Sequence, residues 1–109
     1  MAGNDWTVRE ADSFEMGAAQ CGGLHVIEEH IAVVKLGLSK NPREFLQTHL
    51  PDVYIAKTDL HWRGSEIVMA YNLWFQVDDG ENTVELLWIE WRNPGAEEWD
   101  DDDYIPFLE

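Results

Sequence analysis

The chain has 109 residues, enough for one hydrophobic core and too few for two domains. Its 22 Asp and Glu against 7 Lys and Arg give a formal charge of −15, so its field repels phosphate backbones, which proteins bind by neutralising their charge. A hydrophobic fraction of 45% with six tryptophans excludes general disorder, and charged residues interrupt every apolar run well short of the ~18 residues of a membrane-spanning helix.

Met1 to Thr7 lacks the basic and apolar blocks of a signal peptide. Trp6-Thr7-Val8-Arg9-Glu10 predicts a short first strand by its alternation. Gly17 to Gly23 is small-residue chain and predicts a turn or a frayed short helix. Within it Cys21 is the only cysteine, so no internal disulfide forms and a reducing cytoplasm is the expected compartment.

Leu24 to Ser39 carries the clearest helical period, with Leu24, Ile27, Ile31, Val34 and Leu38 at steps of three and four. Val26 and Val33 widen that stripe, as packing against a sheet requires. Asn41-Pro42-Arg43-Glu44 has the cap, proline and glutamate of a second helix start, and Pro51 stops that helix by Leu50.

The period then changes to two. Val53 to Lys57 predicts a strand and Arg63-Gly64-Ser65 a turn. Ile67, Met69, Tyr71, Leu73, Phe75 and Val77 alternate as one long strand with a buried face. Asp78-Asp79-Gly80-Glu81-Asn82 is hairpin turn chemistry. Thr83 to Arg92 returns with apolar residues on both faces. The expected fold class is α+β, with an antiparallel sheet of about four strands in the order β-α-α-β-β-β packed on two helices.

Residues 1–95 form the expected domain and 96–109 an acidic, aromatic tail. The tail holds Glu97, Glu98, Asp100, Asp101, Asp102, Asp103 and Glu109, with no basic residue. Consecutive aspartates repel one another and oppose compaction. Trp99, Tyr104, Ile105, Phe107 and Leu108 flank them, so these apolar side chains either fold back on the domain or engage a partner.

Other chemistry finds little support. His25 and His30 lie five apart and diverge around a helix, whereas zinc sites of this kind use positions about four apart. Gly22-Gly23 lacks the lysine and spacing of a phosphate loop. Cys21 has no basic neighbour to activate it. No metal and no cofactor is expected, and His61, Arg63 and Glu66 read as surface turn residues.

Leu38-Ser39-Lys40-Asn41-Pro42 closing the long helix, and Tyr71-Asn72-Leu73-Trp74-Phe75-Gln76-Val77-Asp78-Asp79 running into Thr83-Val84-Glu85-Leu86-Leu87-Trp88-Ile89-Glu90-Trp91-Arg92, resemble the RelE/ParE superfamily of small bacterial toxins over Trp6 to Arg92. The resemblance implies a four-stranded antiparallel sheet on two helices. It also implies one of two activities: ribosome-dependent cleavage of messenger RNA by basic and His or Tyr residues on the sheet's concave face, or the poisoning of gyrase. Asn72 stands where the family often has Arg, and Trp91 precedes Arg92 where a His is common. Arg92 and Arg63 are what remain of a basic site.

The functional expectation is therefore a non-catalytic acidic protein that inhibits a basic, nucleic-acid-handling protein by occluding its binding surface, in the manner of a phage anti-defence or immunity protein. Its partner-binding residues would be Trp74, exposed on the second face of its strand, with Asp78, Asp79 and Glu81 at the hairpin and Asp100, Asp101, Asp102 and Asp103 in the tail. The partner would be a basic protein, with no direct contact to nucleic acid or membrane, and self-association into a homodimer is the other arrangement considered. The alternative is a RelE/ParE-like toxin of a toxin–antitoxin pair. Exposed aromatics without basic neighbours suit protein contact better than base stacking.

Overall fold

In the computed structural model, residues 6–58, 61–68 and 70–91 are described, the side chains of 61–63 and 66–68 excepted. Alternation places β1 at Thr7–Glu10. Three helices follow: α1 Asp12–Gln20, α2 Leu24–His30 and α3 Ala32–Lys40. After a 3₁₀ turn at Pro42–Glu44 come strands β2 Leu46–Gln47, β3 Val53–Lys57, β4 His61–Arg63, β5 Glu66–Val68, β6 Tyr71–Asp78 and β7 Thr83–Trp91. The class is α+β, as expected.

Five strands form the main sheet in the order β1-β7-β6-β3-β2, and β4 and β5 make a separate two-stranded ladder. The central pairings are antiparallel, with Phe75 opposite both Tyr54 and Leu86. β1 joins the edge in parallel, Val8 opposite Val84. A β-bulge interrupts β7 where Trp74 pairs with Trp88 but Phe75 pairs with Leu86, leaving Leu87 over. Such a bulge increases local twist and re-aims the side chains beyond it.

The core lies between the helices and one side of the sheet. Phe14, Ala18, Ile27, Ile31 and Leu38 from the helices meet Tyr54, Tyr71, Leu73, Phe75, Leu86 and Ile89. Alternation puts every second residue of β6 on this side, which is why Tyr71, Leu73, Phe75 and Val77 are buried together.

Four local expectations need correction. The small-residue stretch is not among them, since residues 17–20 close α1 and Cys21-Gly22 turn, within the readings the sequence left open. The segment from Leu24 to Ser39 is two helices, broken at Ile31 with φ −105° and ψ 14°. Its apolar stripe is narrower than expected, since Val26 and Val33 face solvent while Ile27, Ile31 and Leu38 are buried. The second predicted helix is only the 3₁₀ turn: Phe45 is extended, at φ −86° and ψ 173°, and packs edge-on against Phe75 with ring centroids 5.5 Å apart. The long alternating strand is interrupted before Tyr71, so Glu66–Val68 belongs to another ladder.

Candidate functional site

The side of the sheet away from the core carries the remaining side chains of the same strands. Register arranges them in cross-strand rows: Lys57, Asn72 and Glu90; then Ile55, Trp74 and Trp88; then Val53, Gln76 and Glu85, which Arg9 extends from β1. The rows differ in exposure. Asn72, Ile55 and Trp74 are buried, whereas Gln76 and Asp78 are open to solvent. Trp88 donates its indole N–H to Glu90 Oε1 at 3.2 Å.

The open end holds a polar cavity of about 390 Å³ between Arg9, Asp52, Gln76, Asp78, Asp79 and Glu85. Two turns with left-handed residues shape it, Asp52 at φ 63° and Asn82 at φ 54°; Asn and Asp tolerate that region better than other non-glycine residues. Arg43 ties the two turns together. Its guanidinium donates to Asp79 Oδ2 at 2.5 Å, to Asp52 Oδ1 at 3.3 Å and to the Tyr54 hydroxyl at 2.8 Å. Its bond to Asp79, then that to Tyr54, raises the guanidinium pKa above its ordinary value, so Arg43 is a fixed cation of the site.

A second cluster sits at the other end, on the core side. The Tyr71 hydroxyl and His30 Nδ1 share a hydrogen bond of 2.7 Å. Burial, then the neighbouring Cys21, raises the Tyr71 pKa. Burial likewise raises that of the Cys21 thiol, and Glu90 adds to it. Thiol and phenol are therefore held neutral, which suits packing and not nucleophilic attack. His25 pairs with Glu29 at 3.9 Å on the surface. Among the described residues no group of three or more His, Cys, Asp or Glu is placed to hold a metal ion, and no helix is long and apolar enough to cross a membrane.

Of the partner-binding residues read from the sequence, Trp74, Asp78, Asp79 and Glu81 lie among the described residues. Trp74 is fully buried, so it presents no surface, and its expected exposure is corrected. Its polar sequence neighbours misled, since Asn72 beside it is buried as well. Asp79 is held by Arg43. Asp78 Oδ1 accepts from the Glu81 backbone N–H at 3.2 Å, and Glu81 lies exposed at the hairpin tip. Asp100, Asp101, Asp102 and Asp103 lie outside the described residues, as do Arg92 and the Arg63 side chain. The sequence reading missed Arg43 and Asp52, because Arg43 looked like a helix-start residue. The acidic turn opposite was the one available signal for a cation there.

No protein-family model matches the chain, and no curated protein does. Among solved structures, a chain of the toxin–antitoxin complex RelBE2 from Mycobacterium tuberculosis matches with a TM-score of 0.52 and 24% identity, over 81% of this chain and 99% of that one. A mutant of the E. coli toxin RelE in the free state matches with a TM-score of 0.54 and 18% identity, over 79% of this chain and 82% of that one. These neighbours overturn the expectation of an acidic inhibitor that occludes a nucleic-acid-handling protein: the scaffold is the one found in toxins of toxin–antitoxin pairs. Identity this low speaks for the architecture alone, and the architecture of this chain is RelE-like.

Proposed function

We propose that the chain is a RelE-like toxin of a toxin–antitoxin pair, held inactive by a basic antitoxin. The observation that carries this reading is the match of four-fifths of the chain to a RelBE complex and to free RelE. The charge of −15 supports the sign of the partner, because complementary potentials speed encounter and select against wrong partners. Asp78 and Glu81, exposed at the β6–β7 turn, are the described acids we assign to that contact.

Of the two activities the resemblance implies, poisoning of a protein target such as gyrase fits the residues better than cleavage of RNA. Phosphoryl chemistry needs positive charge at the developing oxyanion and a positioned acid and base. On the open face Arg9 and Lys57 stand among Asp52, Asp78, Asp79, Glu85 and Glu90, and Arg43 is committed to two carboxylates. The test is inducible expression in a bacterial host, alone and with any small gene that neighbours it. Growth arrest that the neighbour relieves supports the proposal. Normal growth, together with no complex between the two products, removes it.

A further inference from the structure

Beyond Trp74 the sheet face away from the core is open. Gln76 and Asp78 are exposed there, and the polar cavity lies between them, Arg9 and Glu85. Its volume of about 390 Å³ is at the small end of ligand pockets, which run from ~300 to ~1,000 Å³. That is room for the end of one long side chain and not for an element of a partner.

The charges in and around the cavity do not balance. Four carboxylates line it, from Asp52, Asp78, Asp79 and Glu85. Arg43 takes Asp52 and Asp79, and in doing so holds both turns in place. Asp78 and Glu85 stand outside every ion pair of the described residues, as does Arg9, which faces Glu85 across the β1–β7 ladder. Two guanidiniums against four carboxylates leave the cavity negative. A further cation would restore the balance, and a rim already fixed by Arg43 lowers the ordering cost of receiving it.

Register says which cation fits. Asp78 pairs with Thr83 and Gln76 with Glu85, so Asp78 and Glu85 are diagonal neighbours on adjacent strands, with Cβ atoms ~7–8 Å apart. A planar guanidinium has N–H groups on more than one edge and can bridge two such carboxylates while a third donor reaches the Gln76 amide oxygen. An ammonium is a point charge and pairs best with one of them.

We propose that this cavity takes an arginine side chain from a basic protein partner, its guanidinium set between Asp78 and Glu85 over Gln76. That the partner is an antitoxin rests on the toxin reading; the fit of an arginine does not.

The test titrates the ¹⁵N-labelled full chain with the tripeptide acetyl-Ala-Arg-Ala-amide, and with the same peptide carrying lysine or citrulline, the uncharged isostere, at its centre. The arginine peptide should give saturable NMR shifts at the Gln76 side-chain amide and at the Asp78 and Glu85 backbone amides. Lysine should bind more weakly and citrulline should give no shift. Asp78→Asn with Glu85→Gln should abolish the arginine shifts; the amide oxygen at position 78 still accepts the Glu81 N–H, so the turn is kept. In case the double variant loses its fold, Glu85→Gln alone should weaken binding of the arginine peptide severalfold. Shifts that survive these substitutions, that lysine or citrulline reproduces in full, or that spread over the acidic surface without saturating overturn the proposal. So do shifts of the same amides by inorganic phosphate, which would make Arg9 the centre of an anion site. Arginine binding without growth arrest on expression removes the toxin reading and leaves the cavity. Growth arrest relieved by a neighbour whose complex ignores both substitutions does the opposite.

Discussion

At Gly17 the contact between α1 and β7 is backbone on backbone. A Cβ there would lie 2.6 Å from the Ile89 carbonyl oxygen and 3.1 Å from its nitrogen, and neither atom can move without disturbing the strand. Ser13, one turn earlier, donates its hydroxyl to the Leu87 carbonyl, and the Ala11 N–H bonds the Leu86 carbonyl. The helix thus satisfies and shields an edge of β7 that β1 stops covering at Glu10. Although alanine favours helix over glycine by up to ~1 kcal/mol, Gly17→Ala should lower stability by about 1–3 kcal/mol, the usual range for overpacking; urea unfolding checks the sign. This contact was illegible in the sequence, where Gly17 next to Ala18-Ala19 reads as a turn or a frayed short helix. Trp74 failed for a related reason. Alternation correctly placed it opposite Leu73 and Phe75, but alternation says which face a side chain takes, not whether that face is wet. Glu10 offers a test through pH. Burial, then its contact with Glu28, raises its pKa despite Lys35 at 3.3 Å. A raised carboxyl binds more protons folded than unfolded, so its penalty is full above the folded pKa and vanishes below the unfolded one. Stability should therefore gain from this residue as pH falls through that window, and Glu10→Gln should remove that part of the pH dependence in denaturant titrations.

Elements differ in how far their own residues determine them. The β6–β7 hairpin was plain from its alternation and its Asp-Asp-Gly turn; β7 sits where the pattern put it, and β6 is the part of the predicted strand from Tyr71 onward. α2 and α3 were visible as one helix. The break at Ile31 was not, because Ile31 stays on the apolar stripe and its N–H still bonds the Ile27 carbonyl. The parallel pairing of β1 with β7 joins residues 76 positions apart, Thr7 with Thr83, a separation no local pattern encodes. The segment after Pro42 was lost to tertiary packing: Phe45 gains more from the edge of Phe75 than a short helix would return. Arg43, left in that turn, becomes the clasp between the β2–β3 and β6–β7 turns. Because its side chain is substantially exposed, each pair contributes little alone; the geometry they impose together matters more. Arg43→Ala should leave the core intact while speeding amide exchange at Asp79 to Asn82 and in the Asp52 turn. Unchanged exchange at both turns would show that the turn backbones hold themselves.

For the whole molecule the charge of −15 bears on the proposed function, and it weighs against RNA cleavage. RNA binding draws its affinity from phosphates neutralised by Lys and Arg. The described cations on the open face are few and surrounded: Arg9 shares its cavity with Asp52, Asp78, Asp79 and Glu85, and Lys57 shares its row with Glu90. At physiological salt the screening length is about 8 Å, so distant acids matter less than these neighbours, and the neighbours are acidic too. The general acid–base requirement fares no better there. His30 is engaged by Tyr71 on the core side, and His25 lies on the exposed surface of α2 beside Glu29. Purified protein should accordingly leave messenger RNA intact on programmed ribosomes, read by primer extension, under conditions in which its expression arrests growth. Gyrase supercoiling assayed in parallel should be impaired. Ribosome-dependent cleavage that Arg92→Ala abolishes would reverse this assignment, placing the catalytic cations beyond β7 and making the acidic surroundings a device for antitoxin capture alone.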